Sequence, residues 1–321
     1  MDKKIKALKE KIQHIGTRDL LGMIGIHFIT FSNGASDIAE QSDIFNKTDL
    51  TSPQKQYTYL AGLLMSTDDK SNGHVTRNEE SGIYNELEND IQNITLEYTK
   101  TFLNIDPISK PEDIKRNLVS MDAFTSYFDT GILRYAEQTI DLIKTLYGSF
   151  DSELDDLTGL TTEDYISFYQ LVCDEFENAM SSSRYAMNNI KGFLNSLNPY
   201  AVDVEKEYER LMAFAQGSAG IDLQNAMDSL NSIKALKVYD TFGKEKGTKM
   251  LEIFGLYRKE RDFSYYNEKN PFAEHPLCWI DGGETLFIVH PQFLLNAIYN
   301  HITEVLENPK NKFADKYKKV K

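Results

Sequence analysis

Cysteine is scarce in this sequence, which has only Cys173 and Cys278 among its 321 residues. A disulfide framework uses more cysteines at closer spacing, so the count indicates a reducing, cytoplasmic setting. Long apolar runs are also missing, since the longest, Leu20 to Phe31, has twelve residues and includes His27. A membrane-spanning helix needs roughly 20 apolar residues, and a signal peptide places basic residues directly before its apolar run. The run is therefore predicted to be a buried helix, and no membrane association is expected.

Positive charge is in short supply. Lys and Arg number 35 against 49 Asp and Glu, which gives a net charge of -14. Affinity for nucleic acid begins with neutralisation of phosphates, so the body of the protein is expected to bind DNA weakly or not at all. The hydrophobic content of 41% and charged content of 26% are typical of a folded globular chain.

Recognisable catalytic motifs are missing too. The sequence has no Gly-x-Ser-x-Gly elbow and no Glu-x-Lys, the half-motif of restriction-type nucleases. The segment 243–249 (GKEKGTK) departs from the phosphate-loop pattern and is predicted to be a helix-initiating loop. The segment 151–163 (DSELDDLTGLTTE) lacks the sixth-position glycine and the final glutamate of a calcium loop. No catalytic residue, cofactor or small-molecule ligand is predicted, and whether the chain is an enzyme stays undecided.

Four residues near the C-terminus are the best metal candidates: His275, Cys278, His290 and His301. Structural zinc sites present two tight ligand pairs, whereas these residues supply only His-x2-Cys. The sequence therefore predicts no bound metal. Cys278 is expected in a strand core, His290 at a helix cap or junction, and His301 on the apolar side of a helix. Cys173 lies within a helical stripe, and any Cys–His nucleophilic pair would be spatial, which a sequence cannot reveal.

Helical periodicity dominates the first 240 residues. Ser52-Pro53 is a strong helix start, and Thr161 with Asp164 resembles a weak capping box. Further helices are predicted at 184–197, 203–216 and 221–230 from the spacing of apolar residues. The fold class is thus predicted to be mainly α, an array of helical bundles with one small β-hairpin or mini-sheet near the C-terminus.

The last eighty residues carry the strand signals. Two apolar runs, 277–280 and 284–289, flank Asp281-Gly282-Gly283, and either Asp281-Gly282 or Gly282-Gly283 can form a tight turn. The run LFIV has no polar alternation, so protein is expected on both faces of the sheet. A lone hairpin is only marginally stable, and residues 262–266 or a strand from elsewhere should join it. The sheet is predicted to lie after about residue 255, and Pro291 is predicted to start the terminal helix.

The chain is expected to divide into four parts. A helical domain is predicted at 1–150, a second helical bundle at 151–240, and a closing unit of helix and small sheet at 241–308. Residues 309–321 form a basic tail with six lysines and one aspartate, a charge of +5 that leaves -19 on the rest. Such a change in charge marks a boundary.

Two charged segments are the candidates for partner contact. Between Thr145 and Ser183 there are nine acids and no Lys or Arg, which is typical of a solvated helical face or of a docking surface for a basic partner. The tail is expected to pack on an acidic surface, its own or a partner's, or to lead into a further segment. The residues predicted to make these contacts are Lys310, Lys312, Lys316, Lys318, Lys319, Lys321, Asp151, Glu153, Asp155 and Asp156.

A resemblance rests on SPQKQYTYLAGLL (52–64), on ERDFSYYNEKNPFAEHPL (260–277) and on the hairpin and helix that follow. These stretches, about a quarter of the chain, resemble helical N-terminal regions of uncharacterised bacterial proteins, some associated with phage defence. The resemblance covers no catalytic residue and implies a bacterial, cytoplasmic setting. The predicted function is a non-catalytic helical scaffold that binds a protein partner or a second copy of itself. The alternative is the helical portion of a nuclease whose catalytic residues lie downstream or on a partner.

Overall fold

The computed structural model describes residues 1–32, 53–71, 77–102, 135–196, 231–313 and 316–317. A short 3-10 turn, Gly148–Phe150, joins the fifth helix to the sixth. The predicted helices at 203–216 and 221–230 lie outside the described residues. The helices, in chain order, are α1 (Asp2–Ile12), α2 (Thr17–Ser32), α3 (Pro53–Met65), α4 (Arg77–Phe102), α5 (Ala136–Tyr147), α6 (Asp151–Thr158), α7 (Thr162–Ser196), α8 (Ala235–Phe254), α9 (Pro271–Glu274) and α10 (Pro291–Glu307).

One mixed sheet of four short strands completes the described fold. The strands are β1 (Ser232–Lys234), β2 (Gly255–Leu256), β3 (Leu277–Ile280) and β4 (Thr285–Ile288). Their order across the sheet is β1-β4-β3-β2, with β4 antiparallel to both of its neighbours and β2 parallel to β3. The helix α8 connects the two edge strands, β1 and β2. The prediction of a mainly helical protein with one small sheet near its C-terminus is confirmed.

The sheet lies between two hydrophobic cores. The first core is built from α1 to α4, and the second from α5 to α8 together with α10. Alternate residues of the central strands enter opposite cores, because side chains of a strand point to opposite faces. Cys278, Ile280, Phe287 and Val289 join the first core, and Leu277, Leu286 and Ile288 join the second, with Trp279 packed against it. Protein thus covers both faces, as the unbroken LFIV run predicted.

The predicted position of the sheet needs two corrections. Strand β1 begins at Ser232, well before the predicted start of the sheet near residue 255. Residues 262–266 form no strand, although their composition suggested one. Phe263 and Tyr266 are instead buried in the first core from a loop. Their aromatic side chains therefore reflect burial rather than extended backbone, and β1 and β2 supply the strands that support the hairpin.

The hairpin connection also differs from both predicted turns. Ile280 pairs with Thr285, so four residues connect the strands rather than two. Gly282 and Gly283 both have positive φ, at 73° and 97°, which explains why two consecutive glycines are needed. Asp281–Gly283 forms a short 3-10 segment in which Gly282 has non-helical φ and ψ.

Several helix boundaries follow the predicted signals. The helices α3 and α10 begin at Pro53 and Pro291. Thr161 and Asp164 form a reciprocal capping box, with Thr161 N donating to Asp164 Oδ2 at 2.9 Å and Asp164 N donating to Thr161 Oγ1 at 3.2 Å. Gly243 interrupts α8 with φ 77° and ψ 160°, so the segment 243–249 does start a new helical stretch.

Two expectations for the longer helices have different outcomes. The predicted helix at 184–197 is not separate, because α7 runs without a break from Thr162 to Ser196. The apolar run in α2 is buried in the first core at Leu20, Leu21 and Ile24, as predicted. Within the part of the chain that the structure describes, no helix is long and apolar enough to cross a membrane.

Gly62 in α3 gives a test of how closely the loop 263–270 packs on this helix. A Cβ atom at Gly62 would lie 2.8 Å from the Phe263 ring and would overlap the Asn270 side chain. Asn270 cannot easily move, because its Nδ2 donates to Thr58 O at 2.9 Å and its Oδ1 accepts from Phe272 N at 3.0 Å. We expect Gly62→Ala to lower the free energy of unfolding by about 1–3 kcal/mol, as overpacking does.

The matched control is Gly82→Ala in the exposed part of α4, where no described atom lies within 4 Å of the added methyl group. This change should raise the free energy of unfolding by about 0.5–1 kcal/mol, because alanine favours helix more than glycine does. Denaturant unfolding of both variants measures the difference. Equal effects of the two substitutions would show that the contact at Gly62 is loose.

Candidate functional site

Two of the tail lysines predicted to contact a partner lie against acids that were predicted with them. The acidic surface consists of residues on α6 and the first half of α7, namely Asp151, Glu153, Asp155, Asp156, Glu163, Asp164, Asp174, Glu175 and Glu177. The C-terminal strap, defined as residues 309–313 and 316–317, lies against the α6 end of this surface. Lys318, Lys319 and Lys321 lie outside the described residues.

The strap binds α6 through two of its lysines. Lys312 Nζ lies 3.0 Å from Asp156 Oδ2, an exposed pair. Lys316 pairs with Glu153, whose side chain is only 10% exposed. The Lys316 ammonium donates a hydrogen bond to Glu153 and lowers the pKa of that carboxyl. A lysine is therefore the counterion that keeps a nearly buried carboxylate ionised.

Tyr317 anchors the strap in the second core. Its side chain is 3% exposed and packs edge-on against Phe150, with ring centroids 5.5 Å apart. The Tyr147 ring centroid lies 6.1 Å from that of Tyr317, and the Lys316 ammonium lies 5.4 Å from the centroid of the Phe150 ring. The strap thus combines an aromatic anchor with a cation–π contact and two ion pairs.

Two lysines of α8 reach the α7 part of the acidic surface. Lys246 Nζ donates to both oxygens of Asp164, at 2.7 and 2.8 Å, and Lys237 pairs with Glu175. Burial of Asp164 opposes its ionisation, but hydrogen bonds from Lys246 and Thr161 outweigh this effect and lower its pKa. Four lysines from two distant segments therefore pair with acids of α6 and α7.

The other predicted acids have different surroundings. Asp151 Oδ1 accepts a hydrogen bond from Thr162 N at 2.8 Å, so it links the starts of α6 and α7. Asp155 is exposed and, within the described ranges, forms no ion pair. The same is true of Glu163, Asp174 and Glu177 on α7. Lys310 is exposed, and its backbone N–H donates to Asn308 Oδ1 at 3.0 Å. These acids are therefore exposed and form no ion pair with the described part of the chain.

The four metal candidates have structural surroundings. Cys278 is fully buried in β3, and His290 caps α10 by accepting from Gln292 N through its Nδ1 at 3.2 Å. His275 Nδ1 lies 2.6 Å from Ile253 O, to which it must donate because the carbonyl only accepts. His301 packs against aromatic rings of the second core. In the residues that the structure describes, no group of three or more His, Cys, Asp or Glu side chains is arranged to hold a metal ion.

His275 and His301 line an open cleft of about 530 Å³ between α9 and α10. Burial lowers the pKa of both imidazoles, that of His301 to about 4. Lys269 pairs with Glu274 and also with Glu304 Oε1 at 2.9 Å, so the main charges of the cleft neutralise one another. The size suits a small molecule, but the paired charges do not favour one class of ligand.

Neither cysteine has the environment of a nucleophile. Burial raises the pKa of the Cys173 thiol to about 11, and it raises that of Cys278 still further. A reactive cysteine needs a lowered pKa, because the thiolate is the attacking species. Both therefore act as small apolar residues at neutral pH.

Sequence reasoning identified the acids and the tail lysines but missed the aromatic pocket of Tyr147 and Phe150 and the pairing lysines of α8. Comparison with family models, curated proteins and solved structures finds no match to this chain in any of the three.

Proposed function

We propose that this chain is a protein-interaction scaffold whose acidic surface holds a lysine-rich segment of a partner protein. The observation that carries the proposal is that four lysines of the chain itself already end on this surface. The surface can therefore bind ammonium groups in several places at once. The resemblance described above implies a bacterial complex as the setting, and the nuclease alternative stays a prediction.

The α7 part of the surface is the region where we expect such a partner to bind. Asp174 and Glu177 are exposed and stand three residues apart, so they share one face of the helix. Neither has an ion pair within the described ranges, whereas the neighbouring Glu175 forms an ion pair with Lys237. A basic segment lying along α7 would meet these carboxylates without displacing any lysine among the described residues.

The test is the binding of a fluorescein-labelled octalysine peptide to the full chain, followed by fluorescence anisotropy at low and near-physiological salt. We expect Asp174→Asn combined with Glu177→Gln to weaken binding roughly tenfold at low salt, since each exposed ion pair contributes up to about 1 kcal/mol. High salt should reduce the difference, because exposed charges are screened.

The matched control removes two acids far from the surface, with Glu10→Gln and Asp262→Asn. Both residues are exposed on the side of the first core, and the change in net charge is the same. If both double variants weaken binding equally, the peptide responds only to net charge and the proposed surface is wrong.

A further inference from the structure

The C-terminal strap is attached to α6 as a bound peptide would be. Its backbone hydrogen bonds, within the part of the chain described, are local: Asn311 N donates to Asn308 O, and Lys316 N and Tyr317 N both donate to Phe313 O. The contacts with the body come from side chains, namely Lys312, Lys316 and Tyr317. Another segment that carries the same side chains at the same spacing could therefore make the same contacts.

Glu153 is the acid that a lysine of the occupant contacts. With the strap docked, its side chain is 10% exposed and has Lys316 as its cation. An ammonium from a partner segment in the same place would provide the same counterion. The ring of Phe150, next to this carboxylate, adds a face on which both a lysine and a tyrosine can pack.

The exposed ion pair makes the attachment reversible. Lys312 and Asp156 are 68% and 60% exposed, and exposed pairs of this kind are weak and sensitive to salt. The strap leaves α10 just after residue 307, where Asn311 Nδ2 donates to Val305 O at 3.0 Å. Release therefore requires only the contacts of the strap itself to break, while the helix that carries it stays in place.

We propose that the C-terminal strap is an internal ligand of the acidic surface, and that a partner segment with two lysines four residues apart, followed directly by an aromatic residue, displaces it. This inference rests on the proposed function and adds a sequence pattern for the partner segment. The pattern is the spacing of Lys312, Lys316 and Tyr317 in the strap. The strap lowers the affinity for any such partner in proportion to the time it occupies the site.

The test uses the full chain and a fluorescein-labelled peptide with the sequence of residues 309–321 (PKNKFADKYKKVK). In the variant with Lys312→Glu and Lys316→Glu, repulsion from Asp156 and Glu153 releases the strap. Apparent affinity falls with the fraction of competent sites, so a strap that is bound more than nine-tenths of the time predicts at least about tenfold tighter peptide binding to this variant than to the wild type.

Three further variants separate site-specific binding from net charge. Lys3→Glu with Lys6→Glu gives the same charge change on exposed positions of α1 and should leave the peptide affinity near that of the wild type. Adding Glu153→Gln and Asp156→Asn to the released chain should abolish the gain, because the lysine partners are then lost. Adding Asp155→Asn instead, an exposed acid of the same helix, should preserve it.

Hydrogen exchange of the wild-type chain gives a second readout that needs no substitution. Excess unlabelled peptide should speed exchange at the amides of Lys316 and Tyr317, which are protected by Phe313 O in the docked strap. Equal peptide affinity for the wild-type and released chains, with these amides still protected, would overturn the internal-ligand inference and leave the proposed function intact. Octalysine binding at Asp174 and Glu177 without any binding of the 309–321 peptide would do the same.

Discussion

Replacing Arg258 with alanine is expected to lower the free energy of unfolding by about 3–5 kcal/mol, the range seen when one partner of a buried ionic network is removed. Its side chain is only 7% exposed. The guanidinium donates to Ile15 O at 2.9 Å, to Ile12 O at 3.0 Å and to Thr67 O at 3.2 Å, and it lies 3.2 Å from Asp69 Oδ2.

These acceptors explain the size of the effect. Ile12 ends α1, and Thr67 lies two residues after the end of α3, so Arg258 donates at the C-terminal ends of two helices. Its positive charge also suits the partial negative charge of those helix ends. Alanine would remove the Arg258 donor from the carbonyls of Ile15 and Thr67, at about 1–3 kcal/mol for each group, whereas Ile12 O would keep its hydrogen bond from Ile15 N.

Two comparisons make the Arg258 prediction specific. Arg258→Lys should recover only part of the loss, because an ammonium cannot spread donors over three carbonyls as the planar guanidinium does. Arg261→Ala, at a position that is 51% exposed and 3.6 Å from its partner Glu274, should cost about 1 kcal/mol or less. Denaturant unfolding measures the free energy of unfolding of each variant. A similar loss of stability for Arg258→Ala and Arg261→Ala would show that Arg258 does not have the proposed role at the helix ends.

The second large effect is a loss of stability in mild acid that depends on His301. Its Nε2 is buried and has no hydrogen-bond partner among the described residues. The ring packs near Tyr165 and Phe254, with centroids 5.8 Å away in each case. Burial is the main reason that the pKa of His301 falls to about 4, and the neighbouring His275 adds to the effect, although Glu304 opposes it.

The direction of this pH effect follows from the lowered pKa of His301. As the pH falls below about 6.5, the unfolded chain gains a proton at this position and the folded chain does not. Stability that is present above pH 6.5 is therefore lost as the pH approaches 4. A difference of about two and a half pKa units corresponds to about 3 kcal/mol, and partial exposure of the ring reduces this to about 2–3 kcal/mol.

The variant His301→Leu should remove about one proton from the pH dependence of unfolding in this interval. His275 and His290, whose pKa values burial also lowers, would account for part of the slope that remains. His14→Leu, at an exposed position just after α1, is the control for replacing a histidine by leucine. Unfolding measured from about pH 7.5 to pH 4.5 tests this, and parallel curves for the wild type and His301→Leu would disprove it.

The sequence predicted the features that local chemistry determines. Pro53 and Pro291 mark helix starts because proline suits the first turn, and the capping box at Thr161 is a pattern of four residues. The short edge strands could not be predicted from the sequence. Strand β1 has three residues and β2 has two, which is too few for any periodicity to show. Their extended form depends on pairing with β4 and β3, which lie far along the chain.

The candidate site was predictable only in part, for a similar reason. The excess of acids and the cluster of lysines are visible as charge, but which lysine meets which acid depends on how α10 directs the strap. The burial of Tyr317 could not be predicted from the sequence, because its neighbours are mostly lysines and such a segment is expected to be exposed to solvent. Arg258 was missed because nothing in a loop sequence marks an arginine that will be buried at two helix ends.

The position of the sheet between the two cores also governs when the protein can become compact during its synthesis. Residues of α1 to α4 make up most of the first core, yet the surface that closes it comes from Leu256, Cys278, Phe287 and Val289. The ribosome must therefore add nearly two hundred residues after α4, which takes roughly 10–40 s at typical elongation rates, before that core can close. During this interval the nascent helices expose an apolar face, and we expect holding chaperones to bind to this face.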